Sequence, residues 1–281
     1  MEGKIVVISG ATSGLGLEAA ERLGKLGARL VLVGRDEARG AAALARLRAA
    51  VPNVAARMLY ADLSRLSEMK RLAGEIAASE PRIDVLLNNA GAIFSARQVT
   101  EDGFERTFAL NHMAYFVVTN LLLDNLKASA PARIVSTSSA AHRGQRLDFA
   151  DLQTDKGYRA MKAYGRSKLA NILFTRELAR RLAGTGVTAN CLHPGFVATR
   201  FGSGTGPVMR LGVRIAMQFG AIPVEKGAET IVYLASSPEV AETTGGYFQA
   251  SHPARPSAAA QDDEAARRLW AESARLAGIT A

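Results

Sequence analysis

Tyr164-Gly165-Arg166-Ser167-Lys168 is the stretch whose residue types could move a proton. A spacing of four puts Tyr164 and Lys168 one turn apart on one helix face. A free tyrosine titrates near about pH 10, and a neighbouring ammonium favours its phenolate. The pair therefore reads as a general acid/base that Lys168 tunes toward neutral pH. Tyrosine and lysine are also ordinary helix-surface residues, so the reading depends on the rest of the chain. Ser136-Thr137-Ser138-Ser139 closes the apolar run around Ile134-Val135. A string of hydroxyls at the carboxyl end of a central strand is where ligands sit in open α/β sheets. Asn111 lies within an otherwise apolar helical stretch. A buried amide needs partners, so Asn111 is either a satisfied structural residue or a holder of water at the site.

A second group of residues suits a dinucleotide. Ile5-Val6-Val7-Ile8-Ser9 runs into Gly10-Ala11-Thr12-Ser13-Gly14-Leu15-Gly16, and Leu17, Ala20, Leu23 and Leu26 follow at helical spacing. Strand, glycine turn and helix N-terminus together offer free N–H groups and partial positive charge to a pyrophosphate. The same glycines would also serve a plain βα turn. At the end of the next strand stands Gly34-Arg35-Asp36. A guanidinium there can grip a 2′-phosphate with two N–H groups and stack on adenine, which points to NADP(H). Asp36 suits a helix cap or a ribose hydroxyl. Asp62 could accept from the adenine amino group or serve a turn. Asn88-Asn89-Ala90-Gly91 would hold the end of the sheet and leave room for a cofactor, and it is also good turn chemistry.

These residues must be positioned by alternating elements. Buried parallel strands are expected at 4–9, 29–33, 54–60, 83–87, 132–139 and 186–192. Helices are expected at 36–50, 66–78, 100–127, 164–182, 224–235 and 262–277, with Ser64 and Thr100 as caps. A last short strand falls at 245–248. The pattern is one doubly wound α/β domain over 1–281, a parallel sheet of about seven strands with helices on both faces. Phe201 to Pro207 reads as a hinge. It leads to an apolar segment, Val208 to Phe219, so a substrate lid is expected over 200–223. A surface-lying membrane segment and simple core packing are the alternatives for that segment.

Composition narrows the partners. Net charge is +9, but the arginines are scattered along helices, so a solvated basic surface is expected and nucleic acid is not. One cysteine, Cys191, excludes an internal disulfide. No apolar run approaches the roughly 18 residues of a membrane span, and Lys4 is followed only by a short strand, so a cytoplasmic protein without signal or stable membrane insertion is expected. With four histidines and no ligand-spaced cysteines, metal is discounted. His142 and His193 read as hydrogen-bonded loop residues.

In chain order, Gly10-x3-Gly14-x-Gly16, Asp62-Leu63, Asn88-Asn89-Ala90-Gly91, Asn111-His112, Ser138-Ser139-Ala140-Ala141-His142, Tyr164-x3-Lys168-Leu169-Ala170-Asn171 and His193-Pro194-Gly195 resemble the short-chain dehydrogenase/reductase family. The resemblance covers nearly the whole chain and is greatest to the retinol-dehydrogenase-like branch. It implies a Rossmann fold and hydride transfer between NADP(H) and a carbonyl or alcohol, with NAD(H) left open. It implies Tyr164 as proton donor, Lys168 on the nicotinamide ribose, Ser139 on the substrate oxygen and Asn111 on a water. Cofactor contacts are implied for Gly10, Ser13, Gly14, Leu15, Gly16 and Arg35. Asp62, Leu63, Asn89, Ala90 and Gly91 continue the series, and Pro194, Gly195, Val197 and Thr199 complete it together with Tyr164 and Lys168. Ser9 stands where the family usually has threonine. The membrane anchor common in animal members of the branch is not visible. An apolar aldehyde, ketone or alcohol is the expected substrate, and a homodimer or homotetramer would be usual for the family. A non-catalytic NADPH sensor on the same fold and an NAD(H)-dependent alcohol dehydrogenase are the competing readings. A nucleotide-sugar epimerase or dehydratase is disfavoured by the glycine spacing.

Overall fold

The computed structural model describes residues 1–197 and 222–280. Thr199, the Phe201 to Pro207 hinge and all but the last two residues of the expected lid lie outside the described residues. The chain begins β1 (Ile5–Ser9), α1 (Gly14–Lys25), β2 (Arg29–Gly34), α2 (Glu37–Ala50), β3 (Ala56–Tyr60), α3 (Leu66–Ser79) and β4 (Val85–Asn88). A helical turn α4 (Arg106–Phe108), a π-helical segment (Ala109–Met113), α5 (Ala114–Leu121) and α6 (Leu123–Lys127) lead to β5 (Ala132–Thr137). Then come α7 (Ala160–Arg181), β6 (Val187–His193), α8 (Val224–Ser236), β7 (Tyr247–Gln249), β8 (His252–Pro253) and α9 (Asp263–Ala277).

The inner strands are continuous apolar runs because both of their faces are buried. Along β1, Ile5 and Val7 join the core layer of α3, α5 and α7, while Val6 and Ile8 join that of α1, α2 and α8. The strand order is β3-β2-β1-β4-β5-β6-β7-β8. All pairs are parallel except β7 with β8, where Phe248 faces Pro253. The sheet thus has eight strands; the two-residue β8 carries no apolar alternation from which it could be foreseen. The order reverses between β1 and β4, which makes their carboxyl ends the crevice where ligands bind in such sheets. At the opposite ends, Asp84 accepts from the Ile5 amide (2.8 Å) and from Lys4 Nζ (2.7 Å).

α7 starts at Ala160, one turn before the expected Tyr164, and neither Ser64 nor Thr100 opens its helix as a cap. Leu66 N–H is satisfied by Asp102 rather than Ser64, whose hydroxyl turns back to Asp62. The stretch from Thr100 to Lys127 is not one helix. Thr100 Oγ1 accepts from Phe104 in a turn, and α4 begins only where the Glu105 carboxylate accepts the amides of Thr107 and Phe108. The π segment and a break at Leu122 then divide the rest. Among the described residues, no helix is long and apolar enough to cross a membrane, and no cluster could hold a metal ion.

Candidate active site

The glycine turn is tight for physical reasons. Gly10 has φ +70°, and a Cβ there would come within 2.8 Å of Ala90 Cα. A Cβ on Gly16 would lie 2.4 Å from the Gly10 carbonyl oxygen, so α1 could not approach β1. Ser9, which keeps the hydroxyl of the usual threonine, uses it to accept the amides of Asn89 (3.0 Å) and Ala90 (3.1 Å). Asn89 Nδ2 donates back to the Ser9 carbonyl (3.1 Å). These bonds lace the ends of β1 and β4 together. Ser13 precedes α1 without capping it through its side chain, and the first turn of α1 carries no acidic residue. Its N–H groups and positive dipole end suit a pyrophosphate.

Arg35 is exposed beside this turn, since the preceding Gly34 packs so close to Thr12 that a Cβ would lie 2.4 Å from its Cγ2. Asp36 caps α2 through the Arg39 amide (2.8 Å). Burial would raise the Asp62 carboxyl, yet the Ser64 hydroxyl and amide and the guanidiniums of Arg35 and Arg106 hold it below its ordinary value. Two cations and a carboxylate thus frame the far end of the crevice. Sequence reasoning missed Arg39, whose guanidinium donates to Ser13 Oγ (3.3 Å) and so stands over the glycine turn. Its spacing of four from Arg35 was the available signal.

The other end is built on α7. Tyr164 lies one turn inside that helix, and both Tyr164 and Lys168 are buried. Lys168 Nζ donates to the Thr137 carbonyl (2.9 Å) at the end of β5. It also sits 5.7 Å from the Tyr164 ring centre and 5.6 Å from that of Tyr115. Tyr115, four residues after Asn111, is a second residue the sequence reading passed over. The Tyr164 phenol is hydrogen-bonded with Ser139. Ser138 points elsewhere: its hydroxyl donates to the Lys168 carbonyl (2.8 Å), which makes it a strut between β5 and α7. Asn111 sits in the π segment, where the inserted residue turns it inward. Its Oδ1 accepts the Ala92 amide (2.9 Å), and its Nδ2 donates to the Ala92 carbonyl and to Ser167 Oγ (both 3.0 Å). A Cβ on Gly91 would lie 3.2 Å from Asn111 Oδ1 and 3.4 Å from Lys168 Nζ, so that glycine keeps space open beside the lysine.

Electrostatics here depart from expectation. Burial lowers Lys168 from 10.5 to about 7. Burial also raises Tyr164 to about 12, against the lowering effect of Ser139. The expected depression of Tyr164 by Lys168 does not occur in the protein alone, because a desolvated amine that readily loses its proton supplies little charge.

Every expected site residue that is described lies at a carboxyl strand end or on the face of α7 and the π segment toward it. Gly10 to Gly16 follow β1, Arg35 follows β2, Asp62 and Leu63 follow β3, and Asn89 to Gly91 follow β4. Ser139 follows β5, and Pro194, Gly195 and Val197 follow β6. Gly195 has φ +89°. Thr199 is outside the described residues.

Known proteins share both the sequence and the fold of this chain. Residues 4–207 match the short chain dehydrogenase family. The chain is 42% identical to human retinol dehydrogenase 13 over 99% of its own length and 86% of that protein's. It is 43% identical to human retinol dehydrogenase 14, covering 99% and 88% respectively. Among solved structures, an uncharacterized protein from Mycobacterium paratuberculosis superimposes with TM-score 0.80 at 32% identity, over 99% of this chain and 94% of that one. A variant of an actinorhodin polyketide ketoreductase with NADPH gives 0.69 at 26% identity, over 88% and 97%.

Proposed function

The chain belongs to the short-chain dehydrogenase family and is an oxidoreductase of CH–OH and carbonyl groups, and we propose that it works with NADP(H) on an apolar substrate. The observation that carries this reading is the hydrogen bond between the half-buried Ser139 and the buried Tyr164, backed by Lys168, at one end of a crevice whose other end holds Arg35 and Arg39. NADPH, when bound, supplies the hydride to the carbonyl carbon. Tyr164 gives its phenolic proton to the carbonyl oxygen, and the product is the alcohol. A phenol held protonated at neutral pH suits that direction. Ser139 donates a hydrogen bond to the same oxygen. Lys168, titrating near about 7, can return a proton to Tyr164 and hold the nicotinamide ribose. Asn111 holds the π segment against Ser167 and anchors a water on the path to Lys168.

Arg35 and Arg39 support the phosphate of NADP(H), since a guanidinium binds a phosphate in two-pronged fashion. Neighbours with NADPH bound, such as the ketoreductase variant, point the same way. The apolar substrate is supported by Ile93, Tyr158 and Ala160, which pack against Tyr164. The exposed Met161 and Phe196 add apolar surface after Ala160 and after β6.

The test is NADPH consumption with a panel of apolar and polar aldehydes and ketones, wild type beside Tyr164→Phe. Turnover that falls by roughly a hundredfold or more in the variant, with NADPH still bound, is the expected result. Tight NADPH binding without turnover on any carbonyl would favour the non-catalytic sensor instead.

A further inference from the structure

His142 is a buried group that the proposed reaction does not use. It lies on the 3₁₀ turn Ala140–His142 that directly follows Ser139, and it is fully buried. Its Nδ1 is 2.7 Å from the Ser139 carbonyl oxygen. A carbonyl only accepts, so Nδ1 carries the proton. Its Nε2 is 3.1 Å from the Ser257 amide, which only donates, so Nε2 is bare. The two partners therefore fix a neutral imidazole and its tautomer, and both nitrogens are spoken for. That removes His142 as a base or a metal ligand. The Ser139 carbonyl also accepts the His142 amide (3.2 Å), so one residue holds that carbonyl twice. The ring packs edge-on against Tyr247 of β7, with centres 5.3 Å apart. Next to it, Arg143 donates to the Arg255 carbonyl (2.9 Å). Two neighbouring side chains thus strap the turn after β5 to residues 255–257.

We propose that His142 is a positioning residue, through which the segment after β8 holds the Ser139 hydroxyl in register with Tyr164. The proposal rests on the role of Ser139 given above. Ser139 sits in extended backbone at the last step before the turn, and its Oγ is engaged by the Ala141 amide (3.2 Å) and by Tyr164. Fixing its carbonyl fixes the peptide plane, and with it the direction in which Oγ points. A displacement on the order of 1 Å in such a group can cost up to roughly a hundredfold in rate.

Ser257→Pro isolates the tether. Ser257 has φ −64°, which suits a proline ring, and its buried hydroxyl has no hydrogen-bond partner among the described residues. The substitution therefore deletes the one N–H that His142 accepts. The expected result is kcat lower by roughly tenfold, with the KM for NADPH within twofold of wild type. His142→Asn keeps a donor for the Ser139 carbonyl and loses the arm to Ser257, so it should match Ser257→Pro, and the double variant should be no worse than either. Nitrogen-15 NMR of labelled histidine should find the His142 proton on Nδ1. Unchanged kcat in both single variants, or a proton on Nε2, overturns the proposal. A wild type without carbonyl turnover would instead overturn the reading of Ser139 and Tyr164, while leaving the tautomer as it is found.

Discussion

Lys168 is buried, with one carbonyl and two aromatic rings around its amine. Burying an amine costs stability, and its lowered titration records that cost. Lys168→Met keeps the length of the side chain and removes the amine. It is expected to raise Tm by about 2–5 °C while lowering kcat by roughly a hundredfold or more. The sign follows from proton binding. Between about 7 and the unfolded value near about 10.4, the unfolded chain holds more protons than the folded one, so wild-type stability rises with pH. The advantage of the variant should therefore be largest at or below pH ~7 and shrink toward pH ~10; thermal melts across that range check it. At the other end of the crevice, Arg35→Ala should weaken NADPH roughly ten- to hundredfold and leave NADH nearly untouched, as titrated by calorimetry. Equal losses for both would remove Arg35 from the phosphate.

At the scale of elements, β5 delivers two serines that look alike in sequence and do different work. Ser138 ties β5 to α7 through the Lys168 carbonyl, both groups being buried. Ser138→Ala leaves that carbonyl without its side-chain donor and should cost about 1–3 kcal/mol in denaturant melts. Ser139→Ala loses the bonds to the Ala141 amide and to Tyr164, so it should cost about 1–3 kcal/mol as well, and unlike Ser138→Ala it should also remove most turnover. The strands and the Tyr164-to-Lys168 face were legible because apolar runs and a spacing of four are written directly in residue types. The division of the 100–127 stretch was not. The π segment inserts a residue into an otherwise helical pattern, and nothing about Leu110, Asn111 or His112 marks the insertion. The capping by Asp102 was hidden because its carboxylate reaches Leu66 from a distant turn, and that by Glu105 because glutamate is not among the residue types that usually cap a helix. Lys168 and Tyr164 were paired correctly and titrate otherwise than expected, because spacing reports neighbours and is silent about burial.

At the scale of the whole molecule, two buried carboxylates lie at the sheet end opposite the chemistry. Asp84 and Glu80 are buried at or before the amino end of β4, where Lys4 and Arg82 meet the first and Arg29 and Arg57 the second. Burial raises Asp84, but bonds from Lys4, the Ile5 amide and Arg82 hold it below its ordinary value. Its stabilisation is complete above the unfolded carboxylate value of about 3.9 and disappears as pH falls through the lower folded one. Asp84→Ala should cost about 1–3 kcal/mol at neutral pH, and the variant's melting should respond less to acid below pH ~4 than wild type's. At one margin of the sheet, β7 is covered by β8, two exposed residues of which one is Pro253. Proline has no N–H to offer, so this margin cannot template another strand. The short strand is in effect a stopper against aggregation. Removing it would turn a closed boundary into one that recruits copies of itself.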